Sequence, residues 1–99
     1  MGRCRITILR KLYFDDLARE FQPFDLAECP SMSVGEVFYT AGPFGVDMPE
    51  GFCPPAWNAI MPFAQVLASG GKVYSRDETH ITACPDGIRP VLFKMEGVK

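Results

Sequence analysis

The residues best suited to chemistry in this chain lie in two segments rich in turn-forming residues. In the first, from Cys84 to Arg89, the pair Asp86-Gly87 is a strong signal for a two-residue hairpin turn. Such a turn would place Cys84 opposite Arg89, and a neighbouring guanidinium favours the thiolate form of cysteine. We predict Cys84 as a catalytic thiol, Arg89 as the group that binds a carboxylate, and Asp86 as the residue that orients Arg89. Alternatively, Cys84 is a small core residue in an ordinary turn.

The second segment is the junction between a glycine- and proline-rich loop and a predicted helix. It combines the thiol of Cys53 with the indole of Trp57. The free N–H groups of a helix N-terminus favour anions, so a small carboxylate or phosphate could bind there. Cys53 is our second candidate catalytic thiol, and Trp57 a candidate substrate-binding residue. The alternative is that Trp57 anchors the core or an interface.

His80 is the sole histidine of the chain, so a general base of the histidine type within one subunit must be this residue. On a regular strand, His80 and Cys84 would share a face but lie about 13 Å apart, which excludes a direct thiolate–imidazole pair. We place His80 among the candidate substrate-binding residues. The alternative is a histidine near an exposed strand end, beside Glu78.

The four cysteines are widely spaced and include no Cys-x-x-Cys pair. We therefore expect free thiols in a reducing compartment and neither a metal nor a cofactor. A metal site formed by Cys53, His80 and Cys84 is a minor alternative, and a four-cysteine site is a weaker one. The N-terminus lacks the features of a signal peptide, so we expect a cytoplasmic protein.

Hydrophobic periodicity and turn residues predict the elements that would position these side chains. The sequence indicates a β-α-β-α-β-β order and a single domain over residues 1–99. We expect an α+β fold with a small, mainly antiparallel sheet and two helices on one face, ferredoxin-like or a related sandwich. The predicted elements are a strand Arg3–Lys11, a helix from Asp15-Asp16 to before Pro23, a strand Gly35–Thr40, a charge-free helix between Gly51 and Gly71, a short strand Lys72–Tyr74, and hairpin strands Thr79–Cys84 and Pro90–Glu96.

Composition limits the class of partner. Ten basic and twelve acidic residues give a net charge of −2, which argues against a nucleic-acid binder. The apolar helix is interrupted by prolines and is too short to span a membrane. Both faces of the predicted hairpin carry apolar residues, with Ile81, Ala83 and Leu92 on the second face. This is more apolar surface than two short helices cover, so we expect a homo-oligomer.

Four stretches of the sequence carry a resemblance to a known family. They are Arg-Cys-Arg-Ile-Thr-Ile-Leu at the start, Gly-Phe-Cys with the later Ala-Trp, the Gly-Gly pair after the apolar helix, and Cys-Pro-Asp-Gly-Ile-Arg-Pro-Val-Leu-Phe-Lys near the end. The chain resembles a family of small uncharacterised prokaryotic proteins from Cys4 to Met95. The resemblance implies one intact domain and assigns no catalytic residue. Where that family has an acidic or aromatic residue after Gly-Phe-Cys, this chain has Pro54-Pro55.

Two functional hypotheses follow from the sequence. In the first, the protein binds a small carboxylate-type molecule in a pocket formed by the two turn-rich segments, with thiol-based catalysis as an extension. In the second, it is an oligomeric interaction module, in which the same residues shape turns and an interface. No spacing in the sequence specifies a class of reaction.

Overall fold

The computed structural model describes residues 2–23, 27–73 and 79–99. It confirms the predicted α+β class and the predicted order of strands and helices. A 3₁₀ turn at Pro43–Gly45 interrupts the long loop after the second strand. The elements are β1 (Arg3–Lys11), α1 (Asp15–Phe21), β2 (Val37–Tyr39), α2 (Pro54–Ala68), β3 (Thr79–Ala83) and β4 (Val91–Val98).

The four strands form one sheet in the order β2-β1-β4-β3, and each neighbouring pair is antiparallel. β1 has the predicted bounds. β2 is shorter than the predicted strand Gly35–Thr40, although backbone hydrogen bonds to β1 continue on both sides of it, at Glu36 and Thr40. The β1–β4 ladder changes register between Ile8 and Arg10, where β1 contains one residue more than β4. This is a β-bulge.

One face of the sheet is covered by α2, and the hydrophobic core lies between them. The structure confirms the buried side that the alternation along β1 predicts. Cys4, Ile6 and Ile8 are fully buried there. The predicted spacing of three and four also identifies the inner side of α2, whose buried residues include Trp57, Ile60 and Ala64. We call this side of the sheet the buried face.

α1 lies apart from this core. Within the described ranges it contacts no other helix or strand, and Leu17 and Phe21, the predicted apolar side of the helix, are both exposed. Its start is attached instead to the loop between β3 and β4, where the Phe14 N–H donates to the carbonyl of Ile88 at 2.8 Å. Ala18 is the one buried residue of this two-turn helix. Of the described helices, α2 is therefore the one that covers the buried face, because it contacts β1, β3 and β4.

The predicted hairpin exists, but its register is wrong by two residues. The Cys84 N–H donates to the carbonyl of Val91, so Cys84 lies opposite Val91 and not opposite Arg89. The connection therefore has six residues, from Pro85 to Pro90, instead of a two-residue turn. The cause is Asp86, whose side chain binds backbone N–H groups within the loop and closes a wider turn.

The predicted strand Lys72–Tyr74 is also wrong where the structure describes it. Lys72 and Val73 belong to no strand, and Tyr74 lies outside the described residues. These residues follow directly on the turn at the end of α2, where Gly70 has a positive φ. Val73 packs against the core at this point instead of pairing with a strand.

The second face of the sheet, which we call the open face, has no helix over it in the described ranges. A charged group lies at its centre, where Arg5 and Lys94 both contact Glu96, at 3.1 and 3.6 Å. The hydrogen bond from Arg5 lowers the pKa of the Glu96 carboxyl below its ordinary value. Apolar side chains flank this group, with Val37 on one edge strand and Ile81 on the other, each nearly half exposed. Among the described helices, none has the length and apolarity needed to cross a bilayer.

Candidate functional site

Three cysteines from distant parts of the sequence line one pocket of about 190 Å³. The pocket lies where the loop before β2, the start of α2 and the β3–β4 loop meet. We call it the thiol pocket. It is lined by Cys29, Ser31, Cys53, Pro55, Ala56, Cys84, Pro85, Asp86 and Arg89.

Cys84 is held at the end of β3 by the last rung of the hairpin. Its N–H donates to the carbonyl of Val91 at 3.0 Å, and the N–H of Val91 donates back to the Cys84 Sγ at 3.3 Å. A thiol is a weak acceptor, so this bond fixes the position of the sulfur more than it adds stability. The half-buried Cys84 side chain lies against the core on one side and lines the pocket on the other.

Asp86 organises the loop that carries Arg89. Its Oδ1 accepts hydrogen bonds from the N–H groups of Ile88 at 2.9 Å and Arg89 at 3.0 Å. Its Oδ2 accepts from the Arg89 Nε at 3.1 Å. Partial burial raises the pKa of Asp86, but the two backbone N–H groups and the guanidinium outweigh it, so the pKa lies below its ordinary value.

This arrangement leaves one end of the Arg89 guanidinium available. Nε is bound to Asp86, whereas the described part of the chain provides no hydrogen-bond partner for the two Nη groups. Arg89 lines the pocket, and about a third of its side chain is exposed. Two parallel Nη donors have the fork geometry that binds a carboxylate.

Cys53 is the residue before the first turn of α2, and its side chain makes no capping hydrogen bond. The first two helical residues, Pro54 and Pro55, have no N–H. Ala56 is therefore the single backbone donor among Pro54–Ala56. The predicted anion site at this helix start is weaker than a typical helix N-terminus, and the two prolines in the sequence already carry that information.

Cys29 and Ser31 were not identified from the sequence. Cys29 lies in irregular chain between Glu28 and Pro30, and no histidine lies beside it in sequence. The structure brings it to the pocket because Met32 is buried in the core and because the Lys11 Nζ donates to the Cys29 carbonyl at 3.0 Å. Both attachments are long-range, so no local sequence signal marks them.

Trp57 and His80 lie outside the lining of the thiol pocket. Trp57 is in the core, with its ring edge-on to Phe52 at 6.2 Å. His80 is 8% exposed, and its ring packs against that of Phe63 of α2 in a tilted arrangement with the centroids 4.7 Å apart, so the alternative of an exposed strand end is also wrong. Its Nδ1 is buried and has no hydrogen-bond partner among the described residues.

The fourth cysteine is separate from the other three. Cys4 is fully buried on β1, and burial raises the pKa of its thiol to about 12. All four cysteines are free thiols. Across residues 2–23, 27–73 and 79–99, no group of three or more metal-binding side chains has the arrangement to hold an ion. The three pocket cysteines thus share a cavity without converging on one point.

Comparison of the chain with protein-family models, with curated proteins and with solved structures finds no match.

Proposed function

We propose that this protein binds a small carboxylate-type anion in the thiol pocket. The observation that carries the proposal is the pairing of Asp86 with Arg89 at the pocket wall. Asp86 holds Nε at 3.1 Å and leaves the two Nη donors to a ligand. Because the guanidinium is fixed before a ligand arrives, less side-chain entropy is lost on binding. The cavity, at about 190 Å³, suits a molecule of a few heavy atoms.

The proposal extends to thiol chemistry. A carboxylate bound by Arg89 would hold the rest of a small molecule near Cys84 and Cys53, which line the same cavity. A thiolate at either position would form a C–S bond to a carbonyl carbon of that molecule, while the C=O π bond breaks and its electron pair moves to the oxygen. Cys84 is our first candidate nucleophile, because it directly precedes the loop that carries Arg89.

Iodoacetate and iodoacetamide test both parts of the proposal together. Both reagents alkylate a thiolate and release iodide, but only iodoacetate has a carboxylate. The rate of each reaction at each cysteine is measured by peptide mass spectrometry. The rate with iodoacetate is divided by the rate with iodoacetamide, and this ratio is divided by the same ratio for that cysteine in urea. This normalised ratio, which we call the anion preference, removes differences in thiol reactivity. We expect an anion preference at Cys84 of about tenfold, the value of one charge-assisted hydrogen bond.

Arg89→Gln should reduce the anion preference at Cys84 to about one. The matched control is Arg10→Gln, which removes an equal charge from an exposed position on β1 that does not line the pocket. An anion preference of about one in the unmodified protein, or an equal loss in both variants, would contradict the proposal. Cys4 is an internal control for folding, because its thiol should react only in urea.

We also propose that the protein is a cytoplasmic homo-oligomer that associates through the open face. Val37 and Ile81 are 46% and 48% exposed on this face. Ile81→Lys should lower the mass measured by light scattering during size-exclusion chromatography. Val66→Lys, at a similarly exposed apolar position on α2, should leave it unchanged. A monomeric unmodified protein would exclude the proposed assembly.

The second candidate function is an interaction module without chemistry, favoured by the same exposed apolar side chains. In that case Cys84 and Arg89 only shape the β3–β4 loop. Cys84→Ser and Arg89→Ala would then change stability or assembly, and the anion preference would be about one at every cysteine. The alkylation experiment thus separates the two functions.

A further inference from the structure

The bulge in β1 determines which side of the sheet Lys11 faces. Ile8 lies opposite Phe93, and Lys11 lies opposite Val91, which is two residues further along β4. Phe93 and Val91 are both fully buried, so their partners Ile8 and Lys11 face the same side. Regular alternation from Ile8 would place Lys11 on the open face. The additional residue at the bulge turns Lys11 toward the side of the sheet on which the thiol pocket lies.

Lys11 there reaches the chain segment that forms one wall of the pocket. Its Nζ donates to the carbonyl of Cys29 at 3.0 Å, in a partly buried hydrogen bond that links β1 to a residue 18 positions later. Cys29 and Ser31 line the pocket from this segment, which belongs to no helix or strand. The buried side chain of Met32 holds the segment beyond Ser31. Lys11 therefore fastens the segment at Cys29 itself.

We infer that Lys11 is a positioning residue of the thiol pocket, which holds the wall formed by Cys29 and Ser31 against the sheet. The inference rests on the proposed function only in treating the pocket as a binding site. The attachment has a cation as donor and a main-chain carbonyl as acceptor, so it holds the backbone and leaves the Cys29 thiol free. A hydrogen bond with one charged partner is among the stronger attachments available to a loop.

The test uses the neutral reagent iodoacetamide and compares three variants of the full chain. Lys11→Met keeps the aliphatic part of the side chain and removes the donor, Lys11→Arg keeps a charged donor, and Arg10→Met removes the adjacent exposed charge. In Lys11→Met, the released wall should expose Cys29 and raise its alkylation rate about three- to tenfold. Lys11→Arg should restore a rate near that of the unmodified protein. Arg10→Met should have no effect.

The direction of the change is diagnostic. Removal of a positive charge near a thiol would by itself disfavour the thiolate and slow alkylation, so a faster reaction reports release of the wall. The midpoint of urea unfolding should be nearly equal in Lys11→Met and Arg10→Met. An unchanged or slower reaction at Cys29, or failure of Lys11→Arg to restore it, would overturn the inference.

The same variants distinguish this inference from the proposed function. If the pocket binds carboxylates, the anion preference at Cys84 should also fall in Lys11→Met and recover in Lys11→Arg. If that preference is about one in the unmodified protein, the proposed function fails, whereas the rate at Cys29 still tests the role of Lys11. The two failures therefore appear in different measurements at different cysteines.

Discussion

Asp86 contacts Arg89 through both of its carboxylate oxygens. Oδ1 accepts the backbone N–H of Arg89 at 3.0 Å, and Oδ2 accepts the side-chain Nε at 3.1 Å. One carboxylate thus fixes the main chain and the side chain of the same residue. The fold of its own loop therefore holds the side chain of Arg89, a residue that lines the pocket, before any ligand is present.

The first prediction concerns the pH dependence of this pair. Asp86→Asn keeps an acceptor for the backbone N–H groups and removes the charge facing Arg89. Because both groups are partly exposed, we expect a loss of about 1 kcal/mol in the free energy of unfolding at pH 7. The folded-state pKa of Asp86 lies below the ordinary value of 3.8. The charge of Asp86 therefore stabilises the folded state fully above pH 3.8, and this stabilisation is lost as the pH falls through the lower, folded-state pKa.

Urea unfolding of the unmodified protein and Asp86→Asn at several pH values from 7 to 2 measures this contribution. The difference in the free energy of unfolding between the two proteins should shrink only at the acid end of the series. Asp15→Asn is the control, because Asp15 and Arg19 form an ion pair on the exposed surface of α1. A difference that stays constant down to the lowest pH would show that the charge of Asp86 does not stabilise the folded state.

The second prediction concerns a buried hydrogen bond between β1 and the end of β2. The Cys4 N–H donates to the Oγ1 of Thr40 at 2.9 Å, and Thr40 is 2% exposed. Thr40→Val keeps the shape of the side chain and leaves this N–H without a partner. We expect the free energy of unfolding to fall by about 1 to 3 kcal/mol. Thr7→Val, on the open face, should leave the free energy of unfolding almost unchanged. Equal decreases in the two variants would refute the role of the bond.

The third prediction concerns the two prolines at the start of α2. Pro55 lines the thiol pocket and provides no N–H at the second helical position. Pro55→Ala adds that donor, and we expect it to raise the anion preference at Cys53 by about two- to fivefold. Pro62→Ala also adds an N–H to α2, but in the helix interior and away from the pocket. Pro62→Ala should leave the anion preference at Cys53 unchanged. An increase equal to that in Pro55→Ala would show that an N–H at the start of α2 does not contribute to anion binding in the pocket.

The fourth prediction concerns the buried imidazole of His80. Its Nδ1 is buried without a partner in the described residues, and its ring packs at a tilt against Phe63. His80→Phe keeps the ring packing and removes the buried polar atom, so we expect the free energy of unfolding to rise by about 1 kcal/mol. His80→Gln keeps a polar group there and should destabilise the fold. Thermal unfolding of both variants measures the effect, and a destabilised His80→Phe would reveal that the imidazole has a partner.

The sequence predicts those features that depend on local periodicity. The alternation of Cys4, Ile6 and Ile8 and the helical spacing of Trp57, Ile60 and Ala64 are properties of single segments, and the structure confirms both. The hairpin register depends on a competing local bond. Asp86 binds two N–H groups inside the loop, which a count of turn residues does not reveal.

The candidate site was only partly predictable for a different reason. Cys84 directly precedes the loop that carries Asp86 and Arg89, so the proximity of the three residues follows from the sequence. Cys29 joins them through the Lys11 attachment and the burial of Met32, both of which depend on the folded sheet. Trp57 has the residue type of a ligand platform, but its helical position directs it into the core.

The bulge in β1 has a consequence for how this strand tolerates change in length. Deletion of Leu9 would leave Ile8 facing Phe93 and Lys11 facing Val91, because the two-against-one step would become a regular ladder. Deletion of a single residue between Cys4 and Ile8 would instead turn the side chains of β1 on one side of the deletion to the opposite face of the sheet. Leu9 is therefore the position where natural variants of this chain could differ in length by one residue and still share both the core and the pocket.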